Sequence, residues 1–386
     1  MEFPSSPSHK RKPVGDLFNP NSSAPEQASS KQAPSSPVKR TKMLSDLQHS
    51  LRQNWPIMRQ PTAEVPLTIR ADSSYRTYAA DQDPKVLFEK ATRYLGSMRG
   101  VERTPEQQEI LIKEIHESII HAIFGSNRIE GAGLGFDVTL HLCRKILRGE
   151  SVPEIDERDP DYESKLLELY NHDKTLKGQP RQYVLRGRRE IVQHMRAFQH
   201  IINHFVVLEE DMTEDLIKET HAILCKGISI IDPEHPEVPY EKYAGQYRTV
   251  AVGAGNTMFV TPKFVPDKMG EMCANLKKDI EEGEAQNSLD PFSLSSKYSL
   301  RFVEIHPFQD GNGRMCRMIL NAILFRYAGI VVPIGEREED RVEYMDIKKR
   351  ASRDMEGHGE YATFVLKKGA RAIQKLKQKL HGKKSA

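Results

Sequence analysis

The chain has 386 residues, of which 38% are hydrophobic and 29% are charged, and its formal net charge is +3. This balance is typical of a globular protein, and the small charge excess does not indicate nucleic acid as a partner. No run of about 20 apolar residues occurs, and no apolar core follows the basic residues of the N-terminus. We therefore expect neither a membrane span nor a secretory signal.

The four cysteines are far apart in the sequence, at Cys143, Cys225, Cys273 and Cys316. They form neither metal-type pairs nor a dense disulfide framework. Such cysteine usage is typical of a reducing compartment, so the expected location is the cytoplasm, the nucleus or both.

Residues 1–83 are rich in Ser, Pro, Lys and Gln and poor in apolar periodicity. Such a segment cannot bury enough surface to offset its ordering entropy, so we predict a disordered tail. Two basic clusters in it, residues 10–12 and 39–42, are either nuclear import signals or solvated charge, and motif statistics favour solvated charge.

Helical patterns dominate from Pro84 onwards and predict an all-α fold with a small β-hairpin. The clearest helix begins after Thr104, which suits an N-cap, with Pro105 at the first helical position and Gln107 completing a capping box. Apolar residues then recur every fourth position to Ile123, which predicts a helix ending near residue 127.

Further helices are predicted over residues 138–148 with Asp137 as N-cap, 188–205, 213–225, 267–283, 294–305, 311–327 and 342–367, the last with a break near 357–359. Residues 243–262 are rich in Gly, Val and Thr and predict a short hairpin or extended flap. We expect an N-terminal helical region over 84–187, a core over 188–370, and a basic tail over 371–386 whose residues 375–384 form a frayed helix end.

The most informative segment is residues 306–317, with the sequence HPFQDGNGRMCR. A predicted helix ends near Ile305, Pro307 forces a turn, and Gly311 and Gly313 permit positive φ and close backbone approach. A new helix then begins with unpaired N-terminal amides. The segment therefore predicts an anion site suited to phosphate.

Four side chains in this segment have matching chemistry. Arg314 and Arg317 lie three residues apart, so they share one helix face and can clamp phosphate oxygens. Asp310 is a hard oxygen ligand suited to Mg²⁺, and His306 is the natural base for an attacking hydroxyl. Each feature alone has an ordinary interpretation as a loop residue or solvated face. Their joint occurrence within one short segment favours phosphate chemistry.

The segment resembles the motif of Fic-domain proteins, His-Pro-Phe-x-Asp/Glu-Gly-Asn-Gly-Arg-x-x-Arg, with every specified position filled. The resemblance extends roughly over residues 190–364. It implies the predominantly helical Fic fold with a β-hairpin flap. It also implies an enzyme that binds ATP and transfers AMP to Ser, Thr or Tyr hydroxyls of proteins.

By this resemblance, His306 is the catalytic base and Asp310 holds Mg²⁺ (or Mn²⁺). Asn312 and the backbone around Gly311 and Gly313 bind the α-phosphate. The outer phosphates are bound by Arg314 and Arg317.

The resemblance constrains the nucleobase of the donor less strictly. Family members that transfer phosphate carry Lys where Arg314 stands, so the motif favours nucleotidyl transfer. Tyr344 resembles a base-pocket tyrosine of the family. An asparagine that often contacts adenine is absent, with Ala351 near its position, which leaves other nucleotide donors open.

Residues 245–248, followed by Val250, Val252 and Pro262, resemble the Fic flap, which pairs with the backbone of a target protein. The flap residues Thr257, Met258 and Phe259 are then expected to contact the target, with Met258 and Phe259 as an apolar clamp. An ordinary hairpin packed on the core is the alternative.

Ser126 and Glu130, in residues 126–131, resemble the family's inhibitory motif Ser/Thr-x-x-x-Glu-Gly/Asn. Their position at the end of the Thr104 helix, before the core, matches that of members inhibited within the chain. We therefore expect Glu130 to form an ion pair with Arg317 and to block productive ATP binding.

The resemblance thus implies an autoinhibited protein adenylyltransferase. Its partners would be proteins bearing hydroxyl side chains, ATP and, as for many family members, a second copy in a homodimer. Alternatives are removal of AMP through a water oriented by Glu130, a bifunctional enzyme, another nucleotide donor, or a non-enzymatic adaptor. An intact His306 and Asp310 argue against the adaptor. The sequence shows no repeat of about 34 residues, so we do not expect a tetratricopeptide array.

Overall fold

The computed structural model describes residues 75–76, 83–98, 104–232, 235–254, 257–353 and 358–380. Both basic clusters and nearly all of the predicted N-terminal tail lie outside the described residues. Within the described part, no helix is sufficiently long and apolar to cross a bilayer.

The described residues are predominantly helical, which confirms the predicted fold class. In chain order the helices are α1 (Pro84–Met98), α2 (Pro105–Ile129), α3 (Phe136–Leu147), α4 (Tyr162–His172), α5 (Arg181–Ile202), α6 (Glu214–Cys225), α7 (Val265–Ala285), α8 (Pro291–Ile305), α9 (Asn312–Ala328), α10 (Glu338–Arg353) and α11 (His358–Leu380). The strands are β1 (Ile230–Asp232), β2 (His235–Val238), β3 (Gly253–Ala254) and β4 (Thr257–Met258). β1 pairs with β2 and β3 with β4, both antiparallel.

The helix starts follow local capping chemistry in some places and not in others. The capping box at Thr104 is present, with reciprocal hydrogen bonds between Thr104 and Gln107. The prediction of Asp137 as an N-cap is wrong, because α3 already begins at Phe136 after Gly135, without a side-chain cap. Asp137 instead lies in the first turn, where its charge suits the helix dipole.

The described residues near the C-terminus are helical as far as Leu380, despite their basic composition. The prediction of a frayed end from residue 375 is wrong as far as Leu380, because α11 continues to that residue. Ile373, Leu376 and Leu380 are all buried, and α11 packs against α1, α2 and α8. The expected boundary at 370/371 therefore falls inside a packed helix.

α9 is the central helix of the fold. Nearly all of its residues are buried, and it packs against α8, α5 and α2. A helix that is apolar on most sides is stable only when other helices surround it. Its first turn, which carries the phosphate-type motif, is therefore held by the core on several sides.

α2 is docked closely against the loop between α9 and α10. A side chain at Gly125 would collide with the Ile334 carbonyl, at 2.4 Å from the built Cβ. Arg128 donates hydrogen bonds to the Glu336 carbonyl (3.1 Å) and to the Glu338 carboxylate (2.8 Å). These contacts fix the C-terminal end of α2, and with it the position of the residues that follow.

His221 on α6 connects three separate segments in the core. Its Nδ1 accepts a hydrogen bond from the Gly245 amide, so Nε2 carries the proton and donates to the Asp310 carbonyl, each at 2.9 Å. The ring stacks on Phe308 with centroids 3.6 Å apart. Burial lowers the pKa of His221 to about 4, so the ring is neutral at pH 7.

We expect His221 to make the fold acid-sensitive. The unfolded imidazole titrates near pH 6.5 and the folded one near pH 4, so between these values the unfolded state binds more protons. Stability therefore falls as the pH falls through this window. His221→Gln keeps a donor and an acceptor but does not titrate. Urea unfolding at pH 7.5 and 4.5 should show a loss about 2 kcal/mol smaller in this variant than in the wild type.

His221→Leu provides the comparison, since it removes both hydrogen bonds. It should be less stable than His221→Gln at pH 7.5. An identical pH dependence in the wild type and His221→Gln would contradict a neutral, buried His221.

Candidate active site

The loop between α8 and α9 turns sharply through two left-handed residues. His306 ends α8 with φ 52°, and Gly311 precedes α9 with φ 77°. Gly313 lies in the first turn of α9 and does not have the positive φ that was expected there. The predicted helix–loop–helix is therefore present. Gly311 adopts the left-handed conformation, and Gly313 allows a neighbouring side chain to approach the backbone closely.

His306 is partly buried and has a defined hydrogen-bond partner. Its Nδ1 donates to the Val303 carbonyl at 3.2 Å, which leaves Nε2 with a free lone pair. The Phe259 ring stacks on the imidazole with centroids 3.8 Å apart. Burial lowers the pKa of His306 to about 4, against the opposing effect of the Val303 carbonyl. The imidazole is therefore neutral and able to accept a proton.

Arg248 holds the backbone of this loop against the flap. Its Nε donates to the His306 carbonyl at 2.6 Å, and its two terminal nitrogens donate to the Val250 and Val260 carbonyls. Its own amide donates to the Pro307 carbonyl at 2.9 Å. The buried guanidinium thus satisfies carbonyls on both sides and keeps His306 in its left-handed conformation.

Asn312 stabilises the loop from inside. Its side-chain nitrogen donates to the Phe308 carbonyl at 2.8 Å, and its side-chain oxygen accepts from the Phe308 amide at 3.0 Å. The amide group is buried, and each of its polar atoms has one partner there. Its contact with an α-phosphate stays a prediction. The backbone N–H groups of the first turn of α9 are further candidate anion donors.

Arg314 is buried and has unused hydrogen-bonding capacity. One terminal nitrogen donates to the Asp310 carboxylate at 3.2 Å. Among the described residues, its Nε and other terminal nitrogen are buried without a hydrogen-bond partner. Leaving such donors unsatisfied is costly, which makes this guanidinium a strong candidate for binding an anion.

Arg317, in contrast, is held by the end of α2 through Nε and one terminal nitrogen. Its Nε donates to the Ser126 hydroxyl at 2.8 Å, and one terminal nitrogen donates to the Ser126 carbonyl at 3.0 Å and to the Glu130 carboxylate at 2.6 Å. The structure therefore brings together the predicted pair of Glu130 and Arg317. It adds Ser126, through both side chain and backbone, to the same contact.

The Glu130 carboxylate also lies directly on the first turn of α9. A Cβ built on Gly313 would be 2.0 Å from Glu130 Oε1, so only glycine leaves room for the carboxylate. A helix N-terminus attracts anions through its free N–H groups and its dipole. Glu130 thus places a negative charge at a helix N-terminus, where an anion is favoured.

Two further contacts, which sequence analysis missed, hold the segment that carries Glu130. The buried His194 ring pairs through Nδ1 with the Asn127 side-chain oxygen at 2.8 Å. The Glu190 carboxylate accepts a hydrogen bond from the Gly133 amide at 2.7 Å. His194 and Glu190 both lie on α5. The segment that carries Glu130 is therefore fixed by α5 as well as by the loop after α9.

Tyr344 lies beside Arg317 in the interior. It is 2% exposed, its hydroxyl is 3.5 Å from a terminal nitrogen of Arg317, and its ring is near those of Tyr361 and Phe364. The structure thus gives Tyr344 a role in supporting Arg317. Its contact with a nucleotide base stays a prediction.

The flap reaches the site through Phe259. β3 and β4 form the expected hairpin, with Gly253 opposite Met258 and Ala254 opposite Thr257. The side chains of Thr257 and Met258 lie outside the described residues, so their target contacts stay predictions. Phe259 is brought onto His306, which links the flap directly to the predicted base.

Asp310 meets the chemical requirements of a magnesium ligand. Its side chain is 42% exposed, and of its two oxygens Oδ2 accepts the hydrogen bond from Arg314. Mg²⁺ bound to nucleotides usually takes one or two carboxylates together with substrate phosphates and water. A single accessible carboxylate beside a turn that is predicted to bind phosphate fits this pattern.

Comparisons with known proteins agree with this architecture. Residues 211–324 match the model of the Fic/DOC family. Solved structures with similar folds include a Fic domain-containing signaling protein from Bacteroides thetaiotaomicron (TM-score 0.54, 18% identity, 78% of this chain and 99% of that one). Another is Fic-1 from Caenorhabditis elegans (TM-score 0.52, 18% identity, 76% and 70%). At such identities these structures establish the fold alone.

Among curated relatives, protein adenylyltransferase fic-1 of Caenorhabditis briggsae is 32% identical over 98 residues, 25% of this chain and 18% of the relative. The matched part is thus a small share of that protein's length. A Fido domain-containing protein of Dictyostelium discoideum is 31% identical over 107 residues, 28% of this chain and 72% of the relative. Because this match covers most of the Dictyostelium protein, and because the family match includes the loop after α8, the chain belongs to the Fic family.

Proposed function

We propose that the chain is a protein adenylyltransferase, which transfers AMP from ATP to Ser, Thr or Tyr hydroxyls of other proteins. One observation carries the proposal: a neutral His306 stands beside a helix N-terminus with buried arginines, and a carboxylate occupies the anion position. Curated relatives named protein adenylyltransferases, from Caenorhabditis briggsae and Nematostella vectensis, support it.

The described residues supply the parts of an in-line nucleotidyl transfer. Nε2 of His306 takes the proton of the target hydroxyl while the hydroxyl oxygen attacks the α-phosphorus. A new phosphorus–oxygen bond forms, and the bond to the β-phosphate breaks, so pyrophosphate leaves. The Val303 carbonyl, which accepts from Nδ1, stabilises the imidazolium that results. Positioning and charge neutralisation provide most of the acceleration in such reactions.

Positive charge around the triphosphate comes from three sources. The first turn of α9 offers backbone N–H groups, and Arg314 offers its unpartnered donors. Asp310 would hold Mg²⁺ (or Mn²⁺), which when bound neutralises phosphate charge. The negative triphosphate would in turn raise the pKa of His306 from about 4 towards neutrality, where a general base is most effective.

The arrangement supports autoinhibition by Glu130. Its carboxylate occupies the position of a phosphate group and holds Arg317 together with Ser126. An incoming triphosphate would meet the negative charge of Glu130 beside Gly313 and an Arg317 guanidinium already engaged with Ser126 and Glu130. Inhibition is relieved when the segment that carries Glu130 moves away from α9.

A second candidate activity is the removal of AMP from a modified protein. The Glu130 side chain is 35% exposed and lies against the turn that would bind the α-phosphate. A carboxylate there can orient a water molecule for attack on the phosphorus.

The homodimer and the cytoplasmic or nuclear location implied by the sequence stay predictions.

We expect Glu130→Gly to raise self-labelling from ATP and Mg²⁺ at least about tenfold, because it frees Arg317 and the first turn of α9. The measurement is incorporation of labelled nucleotide, followed by mass spectrometry of the modified residue. Parallel reactions with labelled UTP, GTP and CTP identify the donor.

Two controls make this result specific. Adding His306→Ala to Glu130→Gly should abolish labelling. Glu117→Gln removes the charge of another carboxylate on α2, which pairs with Arg144 at 2.6 Å and does not contact Arg317 in the structure, so it should leave labelling low. Equal labelling of Glu130→Gly and the wild type would refute inhibition by Glu130.

We also expect the effects of Gly313→Ala and Glu130→Gly on stability to be strongly coupled. In the wild type the new methyl group meets Glu130 Oε1, and such overpacking costs about 1–3 kcal/mol. In the Glu130→Gly background the clash is absent, and alanine in a helix is more favourable than glycine by up to about 1 kcal/mol. Urea unfolding of the four proteins gives the coupling energy, and additive effects would contradict direct contact between the Glu130 carboxylate and Gly313.

A further inference from the structure

A second cluster of chemically active side chains lies on α3 and α4, which contribute none of the residues placed in the candidate active site. His141 on α3 and both Glu168 and His172 on α4 offer ligand-type atoms that all lie within 4.8 Å of one another. His141 Nε2 is 2.9 Å from Glu168 Oε1. The rings of His141 and His172 are in contact, with centroids 3.8 Å apart.

The packing of the two helices explains why these side chains meet. Glu168 and His172 are four residues apart at the end of α4, so they share one face of that helix. Leu166 and Leu169 are buried and fix α4. The cluster is therefore presented by two packed helices.

The donor set is typical of a transition metal. Two imidazole nitrogens and one carboxylate oxygen suit Zn²⁺, which binds such ligands at about 2.0–2.2 Å. Two imidazoles in ring contact repel each other when both are protonated, whereas neutral imidazoles can share one cation. The cluster thus fits a divalent ion better than it fits two charged histidines.

Lys145 is the feature that opposes a cation here. Its Nζ is 2.8 Å from Glu168 Oε1, so in the described state the ammonium neutralises the carboxylate. An ion would take the place of this ammonium. The other charged residues that line the cleft balance in charge. The acidic ones are Asp137 and Glu150, and the basic ones are Arg144 and Arg148.

We propose that His141, Glu168 and His172 form a binding site for a divalent transition metal, with Zn²⁺ as the fitting ion. Tetrahedral ligands of Zn²⁺ are about 3.4 Å apart, whereas the ligand-type atoms here lie within 4.8 Å of one another. Side-chain rotations that move these atoms by about 1 Å would bring them to the distances that Zn²⁺ requires. Because the ligands come from α3 and α4, the ion joins the two helices.

The test uses the full chain freed of metal by a chelator and dialysis. Zn²⁺ is titrated by calorimetry, and Co²⁺ is titrated by its visible absorption, which reports the ligand geometry. His141→Ala, His172→Ala and Glu168→Gln should each weaken one site by at least about tenfold. Lys145→Met should tighten the same site, because no ammonium competes for Glu168.

His204→Ala is a matched control. His200 and His204 also lie close, with ring centroids 4.5 Å apart, but they pair with different carboxylates, Glu219 and Glu210. This variant should keep wild-type Zn²⁺ binding.

Thermal unfolding gives a second measurement. Zn²⁺ should raise the melting temperature of the wild type and of His204→Ala but not that of Glu168→Gln, which retains the shape of the side chain. The proposal is overturned if the wild type binds no Zn²⁺. It is equally overturned if the double variant of His141 and His172 to alanine binds Zn²⁺ as the wild type does.

Discussion

The contact of Glu130 with the start of α9 is the interaction on which the described state of the site depends. Arg314 and Arg317 are buried next to a helix N-terminus, so positive charge accumulates there. Asp310 and Glu130 are the carboxylates paired with these two guanidiniums. The features that would attract a triphosphate therefore also attract Glu130, and under the proposed function the two anions compete for one position.

Glu130 can compete in this way only if the fold positions its carboxylate beside the first turn of α9. Glycine at 125 lets α2 approach the Ile334 carbonyl, and Asn127 is held by His194. Glu130 then follows the last turn of α2 and reaches the space left open by Gly313. The position of Glu130 thus depends on α5 and on the loop after α9. Under the proposed function, a change in either element would alter the competition without touching a residue that is proposed to bind nucleotide.

Sequence reasoning succeeded where the determinants are local. The capping box at Thr104 and the loop after α8 each depend on a few consecutive residues, whose backbone requirements can be predicted. It missed His221, whose partner carbonyl at Asp310 is 89 residues away in the chain. It placed Arg248 in the flap but missed its bond to the His306 carbonyl, which is 58 residues away. Nothing near His221 in the sequence distinguishes it from an ordinary helix residue. The end of α11 was misjudged because its lysines masked the apolar spacing that ends at Leu380.

The histidines around the site share one electrostatic property. Burial lowers the pKa of His194, His221 and His306, and Arg314 lowers the first two further. Neutral imidazoles can link carbonyls and amides without adding charge, so the positive potential stays with the guanidiniums and the helix end. Under the proposed function, a triphosphate would bring more negative charge to the site than Glu130 does. This added negative charge would raise the pKa of His306 and make it a stronger base, so substrate binding and activation of the base would be coupled.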